Sequence, residues 1–299
     1  TRHGYEDVFL ANFASMTPEN EMKMEALQPR RGEFDFKTAD AMVAWAVANG
    51  KQVHGHTLVF KSQNPGWLTE ATGLDKVTGK GAPYDRDELL AIMRDHVTRV
   101  MQHFAGSVRR WDVVNEALRP DGSYMPSVWH DTIGPEYVVE AYRAARAAVP
   151  DATLCYNEIG AEVPGPLADA TYELVAKLKA EGLIDCVGFQ MHVNGATPPA
   201  RDAVQENLER FAGLGVELHV SEMDVDVSAL DPAARFDGQA RIFGEVAAAC
   251  HAVAACTRFT TWGVTDAATW LGPDAQPLPF DASLAPKPAW AAIQRGLSL

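Results

Sequence analysis

The chain has 299 residues, 47% hydrophobic and 22% charged, with a formal net charge of −14. That length and apolar share can fill one large core and exclude a disordered chain. The acidic balance excludes nucleic acid and anionic membrane surfaces as partners, since both call for clustered Lys and Arg, and no apolar run reaches transmembrane length.

In chain order, a weak strand candidate at 11–16 leads into the polar cluster Thr17-Pro18-Glu19-Asn20-Glu21-Met22-Lys23. A helix is predicted over 36–49 and a strand over 51–60. The clearest amphipathic helix is 87–104, where Leu90, Met93, Val97, Val100, Met101 and Phe104 share one face. Strands follow at 108–118, 152–159, 184–193, 216–227 and 259–265. Between them the spacing predicts helices at 136–149, 168–180, 203–211 and 236–248. Gly50, Gly106 and Gly182 sit where a helix end needs a left-handed residue, and Pro150 stops another helix.

Alternating strand and helix implies an α/β fold with a parallel sheet. A doubly wound sheet and a closed barrel both fit the count. No G-x-G-x-x-G follows the first strand and no G-x-x-x-x-G-K-[ST] occurs, which removes the usual nucleotide-binding reasons for an open sheet. There is no internal repeat and no Pro- or Ser-rich linker, so residues 1–299 read as a single domain. The cysteines Cys155, Cys186, Cys250 and Cys256 include no C-x-x-C pair, and three disulfide pairings are open to them.

The predicted strand ends are rich in polar groups, where barrel enzymes carry their chemistry. They read Trp111-Asp112-Val113-Val114-Asn115-Glu116, Tyr156-Asn157-Glu158, Gln190-Met191-His192 and Ser221-Glu222-Met223-Asp224, with His54-Gly55-His56 earlier and Trp262, Asp266 and Trp270 later. Paired carboxylates, amides, histidines and tryptophans suit a sugar. One carboxyl protonates a glycosidic oxygen, another attacks or stabilises the anomeric carbon, and indoles stack on sugar rings. No nucleophile elbow supports acyl hydrolysis and no spaced ligand set supports a metal. Taken singly, each motif has an ordinary structural reading as a helix cap, a core histidine or a core tryptophan. Their coincidence at several strand ends is what points to a site.

Together these strings, with Gly55-His56-Thr57-Leu58-Val59, Val187-Gly188-Phe189-Gln190-Met191-His192, Trp262-Gly263-Val264 and Pro286-Lys287-Pro288-Ala289, closely resemble glycoside hydrolase family 10, the endo-1,4-β-xylanases, from Phe13 to Leu299. The resemblance implies a TIM (β/α)8 barrel acting in secreted form on xylan or xylo-oligosaccharides, with no cofactor and no metal. It implies Glu116 as acid/base and Glu222 as nucleophile, about 5–5.5 Å apart as retention requires. It places Asn115, Gln190 and His56 against the sugar at the cleavage point and His192 against the nucleophile. Glu19, Asn20 and Lys23 fall at the next sugar on the non-reducing side, and Gln63, Trp262 and Trp270 form the remaining walls. Two disulfides, Cys155 with Cys186 and Cys250 with Cys256, are implied, and with them an oxidising compartment.

The chain departs from the family pattern in three ways. Phe60-Lys61 stands where the family usually has Trp-His, which puts a cation near the acid/base and predicts altered binding or an altered pH profile. Met24 replaces a frequent Trp, and Glu158 an Asp. Only twelve residues precede Phe13, where family members have a strand and most of a helix. The expectation is a barrel lacking that first strand and most of the first helix, its gap covered by the N-terminal tail or a partner chain, with self-association through the open edge. The competing readings are a same-fold glycosidase for another glycan and a catalytically silent xylan-binding barrel.

Overall fold

The computed structural model describes residues 2–69 and 84–298. Among these residues nine strands run in chain order: β1 (Ser15–Met16), β2 (Gln52–Gly55), β3 (Val59–Phe60), β4 (Arg110–Asn115), β5 (Thr153–Glu158), β6 (Cys186–Phe189), β7 (His192–Asn194), β8 (Glu217–Asp226) and β9 (Cys256–Thr261). The described residues fall into two compact units.

The first unit holds residues 13–157 and 173–186. Its strands lie in the order β1, β2, β4, β5, with β3 also paired to β4. The pairings are parallel: Ser15 lies opposite Gln52, His54 opposite Arg110, Phe60 opposite Asn115, and Asn115 opposite Asn157. Parallel strands need long crossovers, and helices supply them. The longest is Arg86–Phe104, whose N-cap, Asp85, accepts from the Glu88 amide at 2.9 Å. Every residue predicted for its apolar face is buried. His96 on the same helix is 1% exposed. Burial drives it down to about 3, so it stays neutral against Gln28 Oε1, 3.1 Å away. Cys155 and Cys186 are bonded within this unit.

The second unit holds residues 2–12, 158–172 and 187–298. Here β6 neighbours β8, and β7 and β9 pair with β8 in parallel, with His192 opposite Asp224 and Leu218 opposite Cys256. The helices Arg235–Ala252 and Pro288–Ser298 pack so closely that a Cβ on Gly296 would lie 2.6 Å from the Ala247 Cβ. Cys250 and Cys256 join the end of the first of these helices to β9.

Most predicted segments recur, with differences at their ends. The 51–60 segment is two strands, β2 and β3, separated by His56, Thr57 and Leu58. The 184–193 segment also divides, because Met191 takes a left-handed φ of 65° between β6 and β7. The last predicted strand begins earlier, at Cys256, and stops at Thr261. Residues 11–12 close the helix Arg2–Asn12 instead of opening a strand, and the segment expected as a tail is that helix. Gly50 and Gly182 are left-handed as predicted. Gly106 is not; Ala105, in right-handed helical geometry, caps that helix instead.

Candidate active site

In the second unit the site grows from β8. Alternate side chains of a strand share a face, so Glu222 and Asp224 point the same way. The register sets His192 opposite Asp224. His192 Nε2 lies 3.2 Å from Glu222 Oε2, and its Nδ1 lies 3.0 Å from Asp224 Oδ2. Burial works against charge on this imidazole, but the contacts to Asp224 and Glu222 outweigh it and raise His192 to about 10. It is therefore an imidazolium at neutral pH, held between two carboxylates. Trp270 Nε1 donates to Asp224 Oδ2 at 2.8 Å, and its ring meets the His192 ring at 5.0 Å. Trp262 packs edge-on to the same imidazole at 6.3 Å. The Gln190 carbonyl accepts from the Glu222 amide at 3.0 Å. The left-handed Met191 beside it is pinned by Glu162, whose Oε1 accepts from the Met191 and Gly160 amides.

In the first unit Glu116 follows β4 with φ 51°, a conformation that a side-chain-bearing residue seldom adopts. Its amide donates to the Asn157 carbonyl at 2.9 Å, and the next amide, Ala117, donates to the Tyr156 hydroxyl at 3.1 Å. Because Phe60 lies opposite Asn115, Lys61 comes beside Glu116, and its Nζ meets Glu116 Oε2 at 2.7 Å. Asn157 Nδ2 donates to Asn115 Oδ1 at 2.9 Å.

Deeper in this unit, Asp112 is bracketed by His54 Nε2 and His56 Nδ1, each 2.9 Å away. Burial alone would raise this carboxyl, but the two histidines reverse that and hold it well below the usual carboxylate range. Lys23, Asn20 and Gln63 form a closed triangle. Lys23 Nζ donates to Gln63 Oε1 at 2.6 Å and to Asn20 Oδ1 at 3.3 Å, and Gln63 Nε2 donates to Asn20 Oδ1 at 2.7 Å. Glu19 is half-buried on the same loop.

The predicted residues thus gather within each unit: Glu116, Asn115, His56, Gln63, Lys23 and Asn20 in the first, Glu222, His192, Gln190, Trp262 and Trp270 in the second. Sequence reasoning assigned no role to Asp112, Asp224, Asn157 or Glu162, which brace these side chains. The spacing Glu222-x-Asp224 was the available signal for one of them. Among the described residues His54, Asp112 and Cys155 bring ligand atoms within 4.8 Å of one another. The Cys155 sulfur is bonded to Cys186, so this trio offers no thiolate to a metal.

The profile of Glycosyl hydrolase family 10 matches residues 1–295. Endo-1,4-beta-xylanase B of Thermotoga neapolitana is 36% identical over 298 residues, covering 97% of this chain and 82% of the relative. The crystal structure of native xylanase 10B from Thermotoga maritima superposes with a TM-score of 0.91 at 36% identity, covering 99% of this chain and 90% of that one. Xylanase 10B from Thermotoga petrophila RKU-1, solved in complex with xylobiose, gives a TM-score of 0.91 at 36% identity, covering 99% of this chain and 89% of that one. The strand–helix rhythm gave the α/β class, and the TIM-type barrel implied by the family resemblance is the fold these likenesses show. By its motifs, its fold and the profile it matches, the chain belongs to glycosyl hydrolase family 10 and is a glycoside hydrolase.

Proposed function

We propose that the enzyme is a retaining endo-1,4-β-xylanase that cleaves internal bonds of xylan and xylo-oligosaccharides. Glu222 attacks the anomeric carbon while Glu116 gives its proton to the departing glycosidic oxygen. A glycosyl ester forms on Glu222 as the C–O bond to the leaving sugar breaks. Water then attacks that ester, its proton passes to Glu116, and Glu222 leaves as a carboxylate. The observation that carries this reading is the placement of His192 between Glu222 and Asp224, its Nε2 3.2 Å from Glu222 Oε2 and its Nδ1 3.0 Å from Asp224 Oδ2, which holds the attacking carboxyl in one orientation. The xylobiose bound by the Thermotoga petrophila relative supports the choice of glycan.

Asn115, His56 and Gln190 contact the sugar being cleaved. Glu19, Asn20, Lys23 and Gln63 hold its non-reducing neighbour. Trp262 and Trp270 wall the cleft. Two bridges that use all four cysteines support secretion into an oxidising compartment.

Reducing-sugar release from xylan, with Glu222→Ala as the control, tests the reading. Release is expected to fall at least about a thousandfold in the variant, and the first-formed product should keep the β-anomer. A wild-type enzyme silent on xylan but active on another β-1,4-glycan would favour the same chemistry on a different sugar, a reading to which Lys61 against Glu116 gives some support.

A further inference from the structure

We propose that Trp270 is a positioning residue for the nucleophile as well as a sugar platform: its indole N–H holds Asp224, and through Asp224 it fixes the imidazolium of His192 that faces Glu222. This inference rests on the assignment of Glu222 as nucleophile.

Asp224 is 1% exposed. Among the described residues its Oδ1 meets no hydrogen-bond donor. Its Oδ2 therefore answers to two neighbours, the Trp270 indole at 2.8 Å and His192 Nδ1 at 3.0 Å. A buried carboxylate depends heavily on each donor it has. With the indole removed, Asp224 leans on His192 alone and draws the imidazolium toward itself. The contact on the other side of the ring, 3.2 Å to Glu222 Oε2, then lengthens.

Trp270 is built to carry this link outward. It is 56% exposed, the most exposed of the large apolar side chains among the described residues, yet its N–H turns inward to Asp224. An indole with one wet face and a buried donor is amphipathic in the manner interfaces favour. Its ring also rests on His192 at 5.0 Å with an interplanar angle of 60°. A sugar that seats on the exposed face therefore presses on a side chain whose other contacts are the two groups that orient the nucleophile. If Trp270 were a stacking surface alone, its N–H would be incidental, and phenylalanine would serve as well.

The experiment compares Trp270→Phe, which keeps a ring and loses the donor, with wild type on xylopentaose. The variant is made both alone and in an Asp224→Asn background. The expected result is a kcat lower by about fivefold or more with KM within about twofold, and no further loss of kcat when Trp270→Phe is added to Asp224→Asn. The downfield proton resonance of the His192 imidazolium in the free enzyme should move in Trp270→Phe. Wild-type kcat in Trp270→Phe, multiplying effects in the double variant, or an unmoved His192 resonance would each overturn the proposal. An enzyme inert toward xylo-oligosaccharides would defeat the reading of function, while the resonance would still test the link from Trp270 to His192.

Discussion

Gln63, Glu116 and Met191 carry side chains in left-handed backbone geometry, with φ of 52°, 51° and 65°. Such positions cost about 1–3 kcal/mol each and persist where the surroundings over-determine them. Glu116 shows how, since consecutive amides are held by the Asn157 carbonyl and the Tyr156 hydroxyl. Beside it, Lys61 has 27% of its side-chain surface exposed, so its ion pair adds at most about 1 kcal/mol of stability. Its effect belongs to chemistry, because it fixes the direction of Glu116 Oε2. Lys61→Met is expected to lower kcat by about threefold to tenfold, while the urea midpoint moves by no more than that small ion-pair contribution allows. His192 makes a pH prediction. Its folded value is raised from 6.5 to about 10, so its contribution to stability is complete below pH 6.5 and is lost as pH rises to about 10. Urea unfolding across that interval should show wild-type stability falling with pH, and His192→Gln should flatten the slope. At this scale the sequence pointed to the groups proposed to meet substrate, because most of them stand in contiguous motifs. It assigned no role to Asp112 and Glu162, whose contacts with His56 and Met191 span 56 and 29 residues of chain, separations no local pattern encodes.

Elements were legible where a periodic face is long and the chain is regular. The helix Arg86–Phe104 was read almost to the residue, because nineteen residues repeat one stripe and Asp85 caps it. Two-residue strands such as β1 and β3 escape that logic, since neither holds a full period of alternation. The break between β2 and β3 matters for the site, because it carries Lys61 to a place beside Glu116 by way of the Phe60–Asn115 pairing. Gly55, at the end of β2, marks a close approach: a Cβ there would lie 2.2 Å from the ring of the fully buried Trp111. Neither the indole nor its layer can give way cheaply. Gly55→Ala is expected to destabilise the enzyme by about 1–3 kcal/mol. The loss should appear as a lower denaturant midpoint with an unchanged slope.

Over the whole molecule, composition spoke to partners more clearly than to fold. A chain of net charge −14 repels an anionic polysaccharide at a distance and ignores a neutral one. Raising ionic strength from about 0.01 to 0.15 M shortens the screening length from about 30 to 8 Å. The expected result is that kcat/KM on uronate-bearing xylan rises severalfold over that range, while values for uronate-free xylo-oligosaccharides stay flat. Equal behaviour of the two substrates would show that the global charge is irrelevant to encounter. The α/β class was legible because strand–helix alternation spans the chain. The choice between an open and a closed sheet was not settled by periodicity and came from motif order. The disulfides carry a practical consequence. Both bridges together consume every cysteine in the chain. A single cysteine introduced at exposed Val47 would therefore be the one reactive sulfur on the oxidised protein. A fluorophore or spin label attached there would need no background of cysteine-free variants, and it could follow the enzyme on insoluble plant fibre.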